Sequence, residues 1–405
     1  MCENMMKNCR AYHQCGACNY CLNEYNYSLV DKQKKMESLF KGYKVNPIIG
    51  MKNPYGYRHK VTVTFAKSKG KIIAGTYQED SHKVVSVDQC ALHHPLANKI
   101  VNTVLRLVND YGYTVYNEDT HQGQLRHLQL RISTDGHALL TFVLGTFVLK
   151  GSRQFFAQLK QAEPSIVSIV ENLNTRKTSI VLGDKNKVVL GKGYVIDQMD
   201  GLSFQISNKS FYQVNPSQAL VCYQLAIDGL KLTKQDTVLD AYCGIGTIAS
   251  FMARYSRHAT GVELNKLAVF DARNNAKTNK IDNVTFIARN VDQYVLDNHF
   301  DCVMVDPPRS GCSQSFLNAL IHNNPRKIGY ISCNPQTQAR DIKVLTQHGY
   351  KVEFITPVDM FPFTQHVETV VLLSKGKVDS KKIRVEFSLE DMDMSEFQDG
   401  QHTRR

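Results

Sequence analysis

At 405 residues, with a hydrophobic fraction of 42% and a formal net charge of +12, the chain has the composition of a basic, folded protein of two or three domains. It holds no run of eighteen apolar residues and no basic-then-apolar leader at Met1, which argues against a membrane span or signal peptide and makes the cytoplasm the expected location. Eleven cysteines in a chain this long point to metal ligation, catalysis or burial rather than a disulfide framework.

Residues 1–40 read as a cysteine-rich segment and a helix. Cys9, Cys15 and Cys18 give C-x5-C-x2-C, and Cys90, between the strand-like Val84–Val87 and His93-His94-Pro95, is the obvious fourth ligand of a tetrahedral centre. Four thiolates suit zinc or a [4Fe–4S] cluster, and with a single C-x2-C unit, unless Cys21 joins Cys18, zinc is the weaker choice. Tyr27 to Phe40 is expected as an amphipathic helix with Lys32, Lys34 and Lys35 outward.

Residues 41–200 are expected to form an α+β domain that carries RNA. Residues 1–200 hold 26 Lys and Arg against 16 Asp and Glu, while 201–405 hold 23 against 21, so polyanion contact belongs to the first half. No acidic residue occurs between Glu37 and Glu79, where Arg58, Lys60 and six further lysines alternate with Tyr43, Tyr55, Tyr57, Phe65 and Tyr77. Basic groups among aromatics suit single-stranded RNA, and a solvated lysine-rich surface explains the stretch equally well. Strands are predicted at Lys60–Phe65, Ile72–Tyr77, Lys83–Val87, Leu125–Ile132, Ala138–Leu144, Ser165–Asn172 and Lys187–Leu190, with helices near Ala97–Tyr111 and Arg153–Glu163. Arg126, His127 and Arg131 recur along one strand, as RNA contacts or as an ordinary solvated sheet face.

From Thr237 the pattern alternates strand and helix through residues 201–375. Strand Thr237–Tyr242 runs into Cys243-Gly244-Ile245-Gly246, a turn that admits close approach of a ligand to a helix amino terminus. Ala259–Val262 ends at Glu263, 23 positions after Asp240, near the spacing at which a carboxylate reaches a nucleotide ribose. That describes an adenosine-bearing cofactor without separating NAD from S-adenosylmethionine. Phe300–Val305 ends at Asp306-Pro307-Pro308-Arg309, and Lys327–Ser332 ends at Cys333, before Asn334-Pro335 starts a helix. Tyr350–Ile355 and His366–Leu373 fit the closing hairpin of a class I methyltransferase sheet.

Taken together, Phe211–Asn215, Asp240–Gly246, Asp306–Arg309, Ser332–Pro335 and His366–Thr369 resemble, in order, the motifs of the RNA uracil-C5 methyltransferase family. Cys9, Cys15, Cys18 and Cys90 are similar to the ligands of its iron–sulfur members, which act on 23S ribosomal RNA; the small amino-terminal β-barrel those often carry is not expected before Cys9. The resemblance implies a seven-stranded, Rossmann-like α/β catalytic domain and S-adenosylmethionine held by Gln213, Tyr242, Gly244, Gly246, Glu263 and Asp306, with Asp306 at the cofactor or the uracil edge. It implies Cys333 as nucleophile, its thiolate favoured by the following helix, and Glu368 as base. The expected function is 5-methyluridine formation in 23S RNA by a monomer, with a tRNA uridine enzyme as the nearest alternative. A non-catalytic RNA-binding assembly factor is a further reading, and the joint presence of Cys333, Glu368, Asp306 and the glycine loop speaks against it. No Pro-Cys pair occurs, as a cytosine-C5 enzyme would need, and the acidic stretch Glu386–Asp399 in the tail 376–405 has no assigned role.

Overall fold

The computed structural model describes residues 9, 11–12, 14–22, 24–78, 81, 83–118, 120–146, 149–177 and 180–376; the acidic tail lies outside these. The chain begins with helix α1 (Tyr25–Leu39), then β1 (Lys60–Ser68), β2 (Lys71–Tyr77), β3 (Val84–Ser86), α2 (Pro95–Asp110), β4 (Leu125–Ile132), β5 (Ala138–Leu144), α3 (Ser152–Ala162), β6 (Ile166–Leu173) and β7 (Lys185–Leu190). These strands make one sheet in the order β3-β2-β1-β4-β5-β6-β7, antiparallel except at β5–β6. Alternate residues of β1 and β4, among them Val61, Val63, Leu128 and Leu130, face α2 and α3 and form its core.

A hairpin follows, β8 (Tyr194–Met199) and β9 (Leu202–Ser207), which the sequence reading did not anticipate. Its turn is Asp200-Gly201, both at positive φ (47° and 74°), the mirror-image turn that suits the twist of paired strands. The remaining elements are α4 (Pro216–Leu230), β10 (Thr237–Ala241), α5 (Thr247–Ala253), β11 (His258–Glu263), α6 (Lys266–Thr278), β12 (Val284–Ala288), α7 (Val291–Asp297), β13 (Cys302–Val305), α8 (Gln314–Asn323), β14 (Lys327–Ser332), α9 (Pro335–Gln347), β15 (Tyr350–Val358) and β16 (Glu368–Lys375). The second sheet runs β12-β11-β10-β13-β14-β16-β15, with β12, β11, β10, β13 and β14 pairing in parallel and β16 antiparallel to both β14 and β15. This is the expected class I methyltransferase sheet. All five parallel strands end on one rim, which is where ligands bind in such sheets.

Three expectations need correction. Lys32 does not point outward: it is fully buried, because it lies at i+4 between Ser28 and Met36 on the stripe that α1 turns inward. Arg126, His127 and Arg131 are not a solvated face, since all three are at most 7% exposed. Burial together with the Arg126 charge pushes the His127 imidazole down to about 4, so it is neutral at physiological pH. Tyr57 and Phe65, two of the aromatics among the lysines, are core residues at 3% exposure and are not available for base stacking. No described helix is long and apolar enough to cross a membrane.

Candidate active site

β14 delivers Cys333 to the rim. Asn334 is extended (φ −131°, ψ 91°) and Pro335 opens α9, so the chain turns sharply at the cysteine. In the antiparallel register of β14 and β16, Ser332 pairs with Thr369, which sets Cys333 and Glu368 as the next residues across the two strands. Gln338 of α9 locks this junction: its side-chain amide donates to the Tyr330 and Thr369 carbonyls at 2.9 and 3.2 Å. Asn334 Nδ2 donates to the Arg309 carbonyl at 2.8 Å, tying the cysteine turn to the Asp306–Arg309 loop. A cavity of about 780 Å³ opens over Cys333, with Arg309, Gln336 and His366 in its walls and Lys35 and Met36 of α1 at its edge.

The electrostatics of this corner are those of crowded carboxylates with one cation. Glu368 is 1% exposed, its Oε2 has no hydrogen-bond partner, and burial followed by the Asp306 charge raises its pKa well above the usual carboxylate range. Burial pushes Asp306 up to about 7. The Cys333 thiol is raised by burial and by Glu368, while Arg309 pulls it back. Among the side chains acting on this thiol, Arg309, in the loop after β13, is the one that favours the thiolate. The sequence signal for Arg309 is a single one, a charge directly after the double proline at a strand end.

On β10 and β11 the cofactor candidates come together. The Gly244 N–H donates to Glu263 Oε2 at 3.2 Å, and Glu263 Oε1 accepts from the Asn265 N–H at 2.8 Å. A side chain on Gly244 (φ 54°) would meet nothing within 4 Å, so open space faces the loop, whereas one on Gly246 (φ 81°) would strike Phe286 at 2.5 Å. Asp240 is fully buried; its Oδ2 accepts from the Ala249 N–H at 2.8 Å and its Oδ1 is unpartnered. A buried unpartnered carboxylate oxygen beside an open glycine turn fits a polar ligand at this rim. Tyr242 (φ 65°) lays its ring edgewise on Phe316 of α8, with centroids 5.5 Å apart. Gln213 is buried in the segment joining β9 to α4, where Arg131 donates to the Ser210 carbonyl and the His59 N–H to the Val214 carbonyl.

Away from the rim, Cys9, Cys15, Cys18 and Cys90 line one small cavity of about 100 Å³ with Lys60 of β1 and Arg58 just before it. Burial and the neighbouring thiols raise Cys18 to about 12. Among the described residues no group of three or more His, Cys, Asp or Glu side chains is arranged to hold a metal ion. The thiols stand around the cavity wall instead.

Residues 24–376 match the family model described as tRNA (uracil-5-)-methyltransferase. An uncharacterized RNA methyltransferase of Halalkalibacterium halodurans is 37% identical over 377 residues, 90% of this chain and 82% of the relative. Another, of Listeria innocua, is 36% identical over 383 residues, 92% and 84% of the two chains. The crystal structure of the Pyrococcus abyssi tRNA (uracil-54, C5)-methyltransferase in complex with S-adenosyl-L-homocysteine superposes with a TM-score of 0.74 at 28% identity, covering 86% of this chain and 83% of that one. With the class I sheet, the open glycine turn and these matches in hand, the chain belongs to the tRNA (uracil-5-)-methyltransferase family of S-adenosylmethionine-dependent RNA methyltransferases.

Proposed function

We propose that the protein methylates C5 of a uridine in 23S ribosomal RNA through a covalent adduct between Cys333 and uracil C6. The observation that carries this reading is the placement of Cys333 and Glu368 side by side at adjoining ends of β14 and β16, with an open cavity over Cys333 and Glu368 buried next to it. The sulfonium methyl of S-adenosylmethionine is the electrophile, and Gln213, Tyr242, Gly244, Gly246, Glu263 and Asp306 are the residues assigned to hold its carrier. The Cys333 sulfur bonds to C6, and the ring electrons move to C5 and the adjoining carbonyl as an enolate. C5 then bonds to the methyl group as the S–CH3 bond breaks. Glu368 takes the C5 proton, the C6–S bond breaks, and the thiolate returns. Arg309 favours that thiolate. A paired uridine must flip out to enter the cavity, at a cost of a few kcal/mol.

The four thiols are assigned to a [4Fe–4S] cluster. The donor set suits it, and a cavity walled by four thiols suits a bridging cluster better than a single ion drawn to one point. No reaction step uses it; it would tie residues 9–18 to the Cys90 loop. Anaerobic purification should recover iron and sulfide, and stoichiometric zinc would sink the assignment.

The target is tested by incubating the protein and methyl-labelled cofactor with 23S fragments and with tRNA, both lacking 5-methyluridine. Label in the 23S fragments as 5-methyluridine is expected. Label in tRNA alone would favour the second reading, which the tRNA enzyme of Pyrococcus abyssi motivates. No 5-methyluridine in either RNA would refute the target assignment.

A further inference from the structure

The connection from β15 to β16, residues 359–367, delivers Glu368 to the reaction centre, and its anchors come largely from the first sixty residues. The Lys32 ammonium, fully buried, lies 2.5 Å from Asp359 Oδ1 and 3.1 Å from the Phe361 carbonyl oxygen. The Tyr25 hydroxyl donates to Asp359 Oδ2 at 2.8 Å and accepts the Met51 N–H at 2.7 Å. Further along, the Asn19 and Tyr20 N–H groups both donate to the Phe363 carbonyl, at 2.9 and 3.2 Å, and the Gln365 N–H donates to Asn19 Oδ1 at 3.0 Å. Phe363 sits at φ 63°, a conformation a bulky residue adopts only when its surroundings impose it, with its ring between Tyr25 and Tyr55.

A buried ion pair is a poor source of stability, because apolar side chains of similar volume serve as well or better. What Lys32 adds is direction: its donors fix Asp359 and Phe361 at one place and so fix where β16 starts. We propose that Lys32 is a positioning residue for Glu368, holding the 359–367 connection so that the carboxylate meets the C5 proton. The inference rests on the Cys333 and Glu368 roles proposed above. It divides the reaction in two. Addition by Cys333 and methyl transfer use β14 and the Arg309 loop, none of whose hydrogen bonds involve Lys32. Proton removal and release of the RNA use Glu368, which does depend on it.

The test compares Lys32→Met, Lys32→Arg and the double variant Lys32→Met with Asp359→Leu. Three readouts apply on unmodified substrate RNA with cofactor: thermal midpoint, the fraction of protein in denaturant-stable RNA adduct, and 5-methyluridine turnover. In Lys32→Met turnover should fall on the order of 10²-fold, the cost of a catalytic group held about an ångström off, while adduct accumulates above the wild-type level. Lys32→Arg should recover part of the turnover. The double variant, which leaves no buried unpaired charge, should recover thermal stability and still accumulate adduct. Wild-type turnover in the stable double variant would overturn the inference, as would equal loss of adduct and turnover in every variant. Wild-type protein forming no trappable adduct even on 5-fluorouridine RNA would instead overturn the reaction itself, so the two failures are distinguishable.

Discussion

In the parallel sheet the polar groups proposed to carry chemistry stand at or beyond the strand ends: Asp306 and Arg309 after β13, Cys333 after β14, and Glu368 at the first residue of β16. In the first sheet the comparable groups lie along β4 itself, where Arg126, His127, Gln129 and Arg131 are buried on the strand. They make internal contacts. Arg126 Nη2 reaches both Glu118 oxygens at 2.8 and 2.9 Å, its Nη1 donates to the Asn174 carbonyl at 2.7 Å, and its guanidinium lies 4.4 Å from the Tyr116 ring centroid. Arg131 holds Ser210, three residues before Gln213. One sheet thus places charge at strand ends on the rim, while the other buries charge along a strand and uses it internally, Arg131 to fasten the segment that leads to Gln213. The same residue types serve either end, and what decides between them is whether an adjoining layer covers the strand.

That contrast is best broken at the rim. Glu368→Gln should lower turnover on the order of 10³-fold, within the range for loss of a general base, while RNA adduct persists; loss of the adduct as well would place Glu368 in the first attack. The same change should raise thermal stability. A carboxylic acid whose folded pKa is raised loses stability as pH climbs from the ordinary carboxylate range toward the folded value. Glu368→Gln should therefore melt higher than wild type at pH 8 and alike at pH 4, read by calorimetry. On the covered strand, Arg126→Met should cost about 2–3 kcal/mol in chemical denaturation by orphaning the Asn174 and Arg176 carbonyls. Wild-type stability there would mean the guanidinium is a ligand contact after all.

Smaller effects sharpen the picture. Arg309→Met removes the cation that pulls the Cys333 thiol down, so the rising limb of the kcat/KM profile should move to higher pH, measured from pH 6 to 9.5. An unmoved profile would free Arg309 of that role. On α1, Lys34→Met should change stability by no more than about 0.5 kcal/mol, because Lys34 lies off the buried stripe that contains Lys32.

Much of the catalytic half was legible because it is punctuated. Gly244-Ile245-Gly246, Pro307-Pro308 and Pro335 each stop a strand, and a reactive residue at such a stop has few places to be other than the rim. The bounds of β4, β5 and β14 were read directly from alternation and apolar runs. The β8–β9 hairpin has its own signal in the sequence, the turn pair Asp200-Gly201. The burial of Lys32 and of Arg126, His127 and Arg131 was not legible. Periodicity gives the face of an element and is silent about what covers that face; Asp359, the partner of Lys32, lies 327 residues away. Arg309 escaped for a similar reason, since its role exists only once β13 and β14 lie side by side.

The central claim, a Cys333 adduct resolved by Glu368, is tested most directly with RNA carrying 5-fluorouridine at the target. Fluorine at C5 cannot leave as a proton, so wild-type protein with S-adenosylmethionine should accumulate a denaturant-stable RNA adduct that carries the methyl group, and Cys333→Ala should give none. Absence of that adduct from the wild type, or its equal formation by Cys333→Ala, would contradict the account.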